Sequence, residues 1–224
     1  MKATGTALIA LAVLFNLPFA RLAATFDYPD ILREPTEAIL AAFNAGGTDL
    51  VATWYAFAFA AILMVPVSLA HAFAKGRLAA QPEWAISAAL LGVLAGLLQA
   101  MGLLRWVLVV PALAAANDTQ GFALIHAYSG MALGEHLGML LTAGHVALMA
   151  LIQRREATRI LPALGALAAL MIGLGAFEGP ALALGLGGAA LGLSAMLGYV
   201  VLSLWLAASG AAMLRNPSPS PALA

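Results

Sequence analysis

The hydrophobic residues of this chain are concentrated in six long runs separated by short polar segments. The runs cover residues 5–24, 50–73, 85–113, 127–152, 160–177 and 189–214. Each is close to or longer than the about 20 residues with which an α-helix crosses a bilayer. The pattern predicts an all-α, polytopic transmembrane helix bundle of about six spans, one domain over residues 1–214. The third run is long enough to require tilt or a bend at Pro111.

The longest polar stretch is the first loop, residues 26–49, and its prolines and apolar spacing indicate short helices. Pro29 and Pro35 suit first-turn positions, and Ile39, Leu40 and Phe43 recur at helical spacing. We expect two short interfacial helices in this loop. They act either as a lid over the bundle or as an ordered connector whose apolar stripe packs on it.

Composition makes lipid the natural solvent of the chain. Of the 224 residues, 63% are hydrophobic and 9% are charged, with a mean hydropathy of +0.98. A soluble domain carries about 25% charged residues. The net charge is zero and no basic tract occurs, which argues against nucleic acid as a partner. The chain has no cysteine, which excludes disulfides, iron–sulfur clusters and thiolate metal sites.

Lysine and arginine placement predicts that both termini are cytoplasmic. With that orientation one basic residue, Arg33, lies in an outer loop, whereas seven lie on the inner side, a strong positive-inside bias. The seven are Lys2, Lys75, Arg77, Arg154, Arg155, Arg159 and Arg215. Residues 215–224, where proline and serine alternate, predict a disordered cytoplasmic tail. A cleaved signal peptide over residues 1–24 is the alternative to a retained first helix, and it would leave five spans.

Four charged residues lie within or at the end of apolar runs, where charge is costly. They are Arg21, Arg105, Glu135 and Glu178, each about 17–20 residues, or about 26–30 Å, from the nearest cytoplasmic helix end. We expect them, with His136, to form one charged layer near the outer membrane face. Arg105 and Glu135 should be in direct or water-bridged contact, with Glu178 or Arg21 nearby. The layer either binds a ligand or fixes helix register.

Asn16 and Gln99 share a depth just inside this layer, about 20 Å from the inner side. They could hydrogen-bond to each other across the first and third spans. Further inward the polar residues become sparse. This favours a blind pocket open to the outside over a continuous channel.

Histidine raises the alternative of a haem-binding electron carrier. His136 and His145 are nine residues apart on one span and point in opposite directions, so they cannot share an iron. His71 and His145 differ in expected depth, at about 6 Å and about 13–15 Å from the inner edge. No haem-attachment or zinc motif occurs, and no serine has an evident histidine–acid partner. The sequence therefore predicts no cofactor, no metal and no catalytic residue.

Several short motifs resemble an uncharacterised bacterial family of integral membrane proteins, a domain of unknown function. They are Phe26-Asp27-Tyr28-Pro29-Asp30-Ile31-Leu32-Arg33, Leu103-Leu104-Arg105-Trp106-Val107, Gly134-Glu135-His136-Leu137-Gly138, Gly198-Tyr199, Ser203-Leu204-Trp205-Leu206 and Gly210. The resemblance covers nearly the whole chain and implies a multi-helix membrane domain in the bacterial cytoplasmic (inner) membrane. It implies no activity.

These observations favour a non-enzymatic inner-membrane protein that binds or senses a small polar or amphipathic ligand through the charged layer. A structural accessory subunit that docks a membrane-protein partner is the competing class. Both hypotheses give the functional role to the same charged layer. The sequence does not name the ligand.

Overall fold

The protein, studied as a computed structural model, is described over residues 1–156 and 159–215. All regular secondary structure in these two ranges is helical. Apart from Arg215, the predicted cytoplasmic tail lies outside the described residues.

Ten α-helices and one π-helix make up the described chain. They are α1 (Lys2–Phe26), α2 (Thr36–Phe73), α3 (Arg77–Ala80), α4 (Pro82–Leu108), α5 (Val110–Ala115), α6 (Thr119–Ile125), the π-helix (His126–Leu137), α7 (Gly138–Arg155), α8 (Ile160–Gly175), α9 (Glu178–Ala183) and α10 (Ala189–Arg215). Short 3₁₀ turns cover Asp30–Arg33 and Ala74–Gly76.

In the described ranges, six helical segments are long and apolar enough to cross a membrane, which confirms the predicted bundle. Their most apolar stretches are only 28–44% buried within the protein. Large apolar side chains such as Leu17, Leu90 and Leu204 are more than half exposed on the outside of the bundle. Such a surface requires lipid around it, so the chain is a multi-pass membrane protein.

The first loop is shorter and less separate than the sequence predicted. Its first helical piece is the 3₁₀ turn Asp30–Arg33, and the second begins at Thr36 and continues into the span as part of α2. Gly47, with φ 55° and ψ −150°, breaks the helical geometry inside α2. Glycine tolerates this positive φ without a side-chain clash, so α2 is kinked at Gly47.

Three further differences concern the third, fourth and fifth spans. The third span ends at Leu108, and α5 begins at Val110, so the expected break near Pro111 falls just before the proline. The fifth apolar run was predicted to end at residue 177, and in the structure the short helix α9 follows directly after it. The fourth span is longer than expected, because it runs through α6, the π-helix and α7, and the sequence pattern did not indicate its π-helical part.

The six long helices form a closed ring. Each packs against the next along the chain, in the order α1, α2, α4, α7, α8 and α10, and α10 packs back against α1. We call the end that carries residues 27–35 the loop end and the opposite one the termini end. Close contact of Gly5 with Gly210 brings the first and last helices together at the termini end.

An aromatic cluster of Phe26, Phe43, Trp54, Trp106 and Phe122 fills the loop end. The Trp54 and Trp106 rings stack with their centroids 4.8 Å apart, and Phe26 meets both edge-on. The predicted apolar stripe packs into the same core, with Ile39 2%, Leu40 0% and Phe43 4% exposed. The start of α2 is thereby held firmly over this end of the ring.

Candidate functional site

A cavity of about 170 Å³ lies inside the ring. Its lining comes from α1, α2, α4, the π-helix with α7, and α10, together with Tyr28 and Leu32 of the first loop. Trp54 near the loop end and His71 near the termini end both line it, and they are 17 residues apart on α2. At 1.5 Å per residue the cavity therefore extends over about 25 Å.

Most of the cavity wall is apolar, with side chains such as Leu8, Phe15, Met64 and Leu202. The volume of about 170 Å³ is below the about 300–1,000 Å³ typical of sites for drug-sized ligands. It is close to the about 150 Å³ of an engineered apolar cavity that binds benzene. The cavity therefore suits a small or slender, largely apolar molecule.

An ion-pair cluster of Arg33, Glu135 and Glu178 closes over the loop end. Arg33 Nη2 lies 3.0 Å from Glu135 Oε2 and 3.0 Å from Glu178 Oε2, and its Nε donates to Glu178 Oε1 at 3.1 Å. The three side chains are 30%, 19% and 15% exposed. Burial alone would lower the pKa of Arg33, but the bonds and charges of Glu178 and Glu135 outweigh it and raise that pKa. The cluster ties the first loop to the fourth and fifth spans.

Arg105 lies beneath this cluster and lines the cavity, 5% exposed. It donates to the carbonyl oxygen of Gly102, approaches His126 Nδ1 at 3.4 Å, and lies 5.1 Å from the Trp106 ring centroid. The predicted direct ion pair between Arg105 and Glu135 is absent from the described residues, because Glu135 forms its ion pair with Arg33 instead. A contact through water stays a prediction.

Glycine makes room for the buried guanidinium. A Cβ added to Gly130 of the π-helix would lie 2.6 Å from Arg105 Nη2. One turn further on, Gly134 meets Gly102 of α4 at a similar separation, with a Gly102 Cβ 2.9 Å from the Gly134 Cα. These glycines of the π-helix therefore pack inside the protein, against α4.

Two other residues of the expected charged layer lie apart from it. Arg21 pairs with Asp49 at 3.3 Å, and both side chains are largely exposed, at 56% and 85%. His136 is turned toward the fifth span, where its Nδ1 donates to the carbonyl oxygen of Ala176 at 2.7 Å. Neither lines the cavity. Of the expected layer, the structure brings together Arg105, Glu135 and Glu178, with Arg33 added.

A middle level of polar side chains lies halfway along the cavity. Asn16 donates to Ser203 Oγ at 2.7 Å. Gln99 donates to Thr142 Oγ1 at 2.6 Å and to the Tyr199 hydroxyl at 3.2 Å. The expected bond between Asn16 and Gln99 does not form, since each finds a partner on another span. Both nevertheless line the same cavity.

Histidines mark the termini end of the cavity. His145 Nδ1 donates to the carbonyl oxygen of Ala88 at 2.7 Å, and His71 has no hydrogen-bond partner on either ring nitrogen. Both rings line the cavity, as does Ser68. The difference in depth expected for His71 and His145 therefore does not keep them out of one cavity.

Beyond His71 the termini end is closed by a second group of ion pairs. Glu156 accepts from Arg77 Nε at 2.6 Å and from Lys75 Nζ at 3.2 Å. Arg77 is 2% exposed and also donates to the backbone oxygen of His71. Burial opposes ionisation of Glu156, but Arg77 and Lys75 hold its pKa below the ordinary value.

A family model described as "Domain of unknown function (DUF4386)" matches residues 3–210. The chain belongs to the DUF4386 family. This confirms the resemblance read from its motifs. No curated protein and no solved structure matches it.

In this DUF4386 protein, sequence reasoning missed three residues of the loop end: Arg33, Tyr28 and His126. Tyr28 lines the cavity, and burial, reinforced by the charge of Glu135, raises its pKa to about 12. The signal for Tyr28 and Arg33 was their place in a segment rich in proline and charge. This composition alone does not place the two side chains; in the structure the segment folds back over the ring and brings both to the loop end.

Proposed function

We propose that this DUF4386 protein binds a small amphipathic molecule in its central cavity, without converting it chemically. The observation that carries the proposal is the combination of an apolar cavity of about 170 Å³ with Arg105 at its loop end, whose Nε is buried and has no partner. The apolar part of the molecule would pack against the cavity walls. A polar group would meet the guanidinium.

The position of Arg105 supports this reading over a purely structural one. A charge inside a membrane protein is costly and is usually paired or functional. Arg33 has two carboxylate partners, whereas Arg105 is bonded to a backbone carbonyl and contacts a histidine and an indole. A ligand oxygen would satisfy the remaining N–H.

The accessory-subunit class finds less support. The charges of Arg33, Glu135 and Glu178 bond to one another within the chain. Arg105 is 5% exposed and lies inside the ring. These charges are therefore poorly placed to dock a partner protein across the lipid-facing surface.

A haem carrier is favoured by one observation, the two histidines in one cavity. The cavity volume of about 170 Å³ opposes it, because a haem macrocycle is larger than many drug-sized ligands, whose sites take about 300–1,000 Å³. A Soret band in the purified protein would overturn this argument.

The orientation we propose places the loop end outside a bacterial inner membrane and both termini in the cytoplasm. Outside the apolar runs, seven lysines and arginines lie at or near the termini end, whereas the loop end has one, Arg33. The ligand would then approach its polar site from the outer leaflet or the outer face.

The test is native mass spectrometry of the protein purified in mild detergent. We expect a reproducible bound small molecule in the wild type, reduced at least several-fold in Arg105→Leu. Arg21→Leu is the matched control, because Arg21 is exposed and outside the cavity, and it should retain the molecule. Size-exclusion chromatography verifies that each variant is folded.

Two outcomes contradict the proposal. One is a wild-type protein with an empty cavity that copurifies with a stoichiometric membrane protein. The other is a bound molecule that both arginine variants retain equally. Arg105→Lys gives a second measurement if the leucine variant fails to fold, since it keeps the charge and removes the Nε donor.

A further inference from the structure

The loop end of the cavity carries three buried N–H donors without partners: Arg105 Nε, Trp54 Nε1 and Trp106 Nε1. All three residues line the cavity. Guanidinium and indole N–H groups donate hydrogen bonds and do not accept them. Across the described residues, the remaining buried and unpartnered side-chain atoms are the two ring nitrogens of His71, at the other end. The buried side-chain groups without partners at the loop end are therefore all hydrogen-bond donors.

The three donors belong to one compact group. The Trp54 and Trp106 rings are stacked, 4.8 Å apart and 8° from parallel. The Arg105 guanidinium carbon lies 5.1 Å from the Trp106 centroid. A buried donor without a partner destabilises the protein, so the native state is expected to supply an acceptor.

The charges nearby decide which kind of acceptor fits. Arg33 and Arg105 contribute two positive charges, and Glu135 and Glu178 two negative ones, so these four residues are balanced without a ligand. The first loop adds further carboxylates on the approach to this end. They are Asp27, Asp30, Glu34 and Glu37. An anionic ligand would carry an unbalanced charge into the cavity past acidic residues. A cationic amine would offer no acceptor to the donors.

A hydroxyl group is also a poor match. It can accept from the donors, but its own proton then needs an acceptor. Both oxygens of Glu178 and the Oε2 of Glu135 are bonded to Arg33, and the Gly102 carbonyl accepts from Arg105, so a hydroxyl proton would depend on the remaining Glu135 oxygen. A carbonyl oxygen has two lone pairs and no proton to place.

We infer that the polar group held at the loop end is a neutral carbonyl, as in a ketone, ester or quinone-type ring, bound by Arg105, Trp54 and Trp106. The inference rests on the proposed function, since it specifies the ligand of the same cavity. The aromatic cluster around the donors provides flat apolar surface for the group next to the carbonyl.

The test compares four eight-carbon probes with an unbranched chain and a different polar group at or next to one end: 2-octanone, 2-octanol, octanoate and octylamine. Binding to the full-length protein in nanodiscs is measured by titration calorimetry near neutral pH, with protein-free nanodiscs as the blank. We expect 2-octanone to bind about tenfold more tightly than octanoate or octylamine and also more tightly than 2-octanol.

Substitutions assign the preference to the donors. Trp54→Phe and Trp106→Phe keep an aromatic ring and remove one N–H each, so each should weaken 2-octanone binding about three- to tenfold. Trp84→Phe is the matched control, because Trp84 lies under Arg155, away from the cavity. It should leave the affinity unchanged.

The outcomes separate this inference from the proposed function. Binding of all four probes with equal affinity, or a preference for octanoate or octylamine, overturns the carbonyl assignment and leaves a ligand-binding cavity. Unchanged ketone affinity in both tryptophan variants also overturns it. Failure of every probe to bind, together with no copurified molecule, overturns both.

Discussion

At the scale of single residues, Arg33 and Arg105 lie at the same end of the ring but have different kinds of partner. Arg33 bridges Glu135 and Glu178, whereas Arg105 has neither as a direct partner. Counting residues along each helix located Arg105, Glu135 and Glu178 correctly at one end. This counting did not identify Arg33 as the direct partner of Glu135, because it gives a depth only to residues within a helix and Arg33 lies in a loop.

We predict that Arg33→Ala lowers the free energy of unfolding by about 1–3 kcal/mol. The change leaves two carboxylates, 19% and 15% exposed, without their cation and close to each other. Arg33 itself is 30% exposed, so solvent screening keeps the loss below that of a fully buried pair. Chemical denaturation in mixed micelles measures the difference.

Arg21→Ala is the control for this prediction. Its ion pair with Asp49 is exposed, at 56% and 85%, and such pairs contribute about 0–1 kcal/mol. Equal losses in the two variants would mean that the ion-pair cluster contributes no more than an ordinary surface pair.

At the scale of helices, the contact between α4 and the π-helix shapes the loop end. Gly130, Gly134 and Gly138 are spaced four residues apart, and small residues at this spacing let helices pack closely in a membrane. Gly130 faces Arg105, Gly134 faces Gly102, and Gly138 faces Gln99. The π-helical geometry of His126–Leu137 could not be predicted from this spacing, because an α-helix also places residues four apart on one side.

We predict that Gly102→Ala destabilises the protein by about 1–3 kcal/mol, because its Cβ would lie 2.9 Å from the backbone Cα of Gly134. Backbone cannot move aside as a flexible side chain can, so the two helices must separate. Gly173→Ala is the control: its Cβ would meet Ala143 Cβ at an ordinary 3.5 Å. The midpoint of thermal unfolding in detergent compares them. A smaller loss in Gly102→Ala than in Gly173→Ala would contradict the close contact.

Glu156, at the end of α7, forms ion pairs with Lys75 in the turn before α3 and with Arg77 at the start of α3. These ion pairs make the free energy of unfolding depend on pH. Its folded-state pKa lies below the ordinary value of 4.5, so its ion pairs contribute fully above pH 4.5. The contribution is lost as the pH falls through the lower folded-state pKa. We predict that wild type is more stable than Glu156→Gln near neutral pH.

The difference in unfolding free energy between these two proteins should stay constant down to about pH 4.5 and shrink below it. Equilibrium denaturation at a series of pH values measures it, and other carboxylates cancel in the comparison. A difference that grows on acidification would contradict the depressed pKa of Glu156.

At the scale of the whole molecule, hydropathy predicted the number of spans, and ring closure could not be read from it. Apolar runs of about 20 residues specify transmembrane helices because the bilayer leaves the backbone few alternatives. The packing of α10 against α1 depends on small-residue contacts such as Gly5 with Gly210, which are far apart in sequence. The cavity follows from that closure, and so the partners of Asn16 and Gln99 could not be predicted either.

The ring also separates two ends of different charge, which determines its direction in the membrane. The chain has no cysteine, so a thiol reagent can react only with the single cysteine that a substitution introduces. Asp30 at the loop end and Arg154 at the termini end are both exposed and form no ion pair in the described residues. We predict that a membrane-impermeant maleimide labels Asp30→Cys in intact bacterial cells, and labels Arg154→Cys only after lysis.

Labelling of Arg154→Cys in intact cells would show that the orientation is the opposite of the one proposed. The charged residues decide the expected result, because the lysines and arginines of the termini end oppose transfer across the membrane while the loop end carries mainly carboxylates. An outward loop end would put the donors of Arg105, Trp54 and Trp106 toward the outer leaflet, beneath the ion-pair cluster of Arg33. A molecule with an apolar body would then reach them from the outer leaflet, and the Glu156 ion pairs would close the cavity toward the cytoplasm.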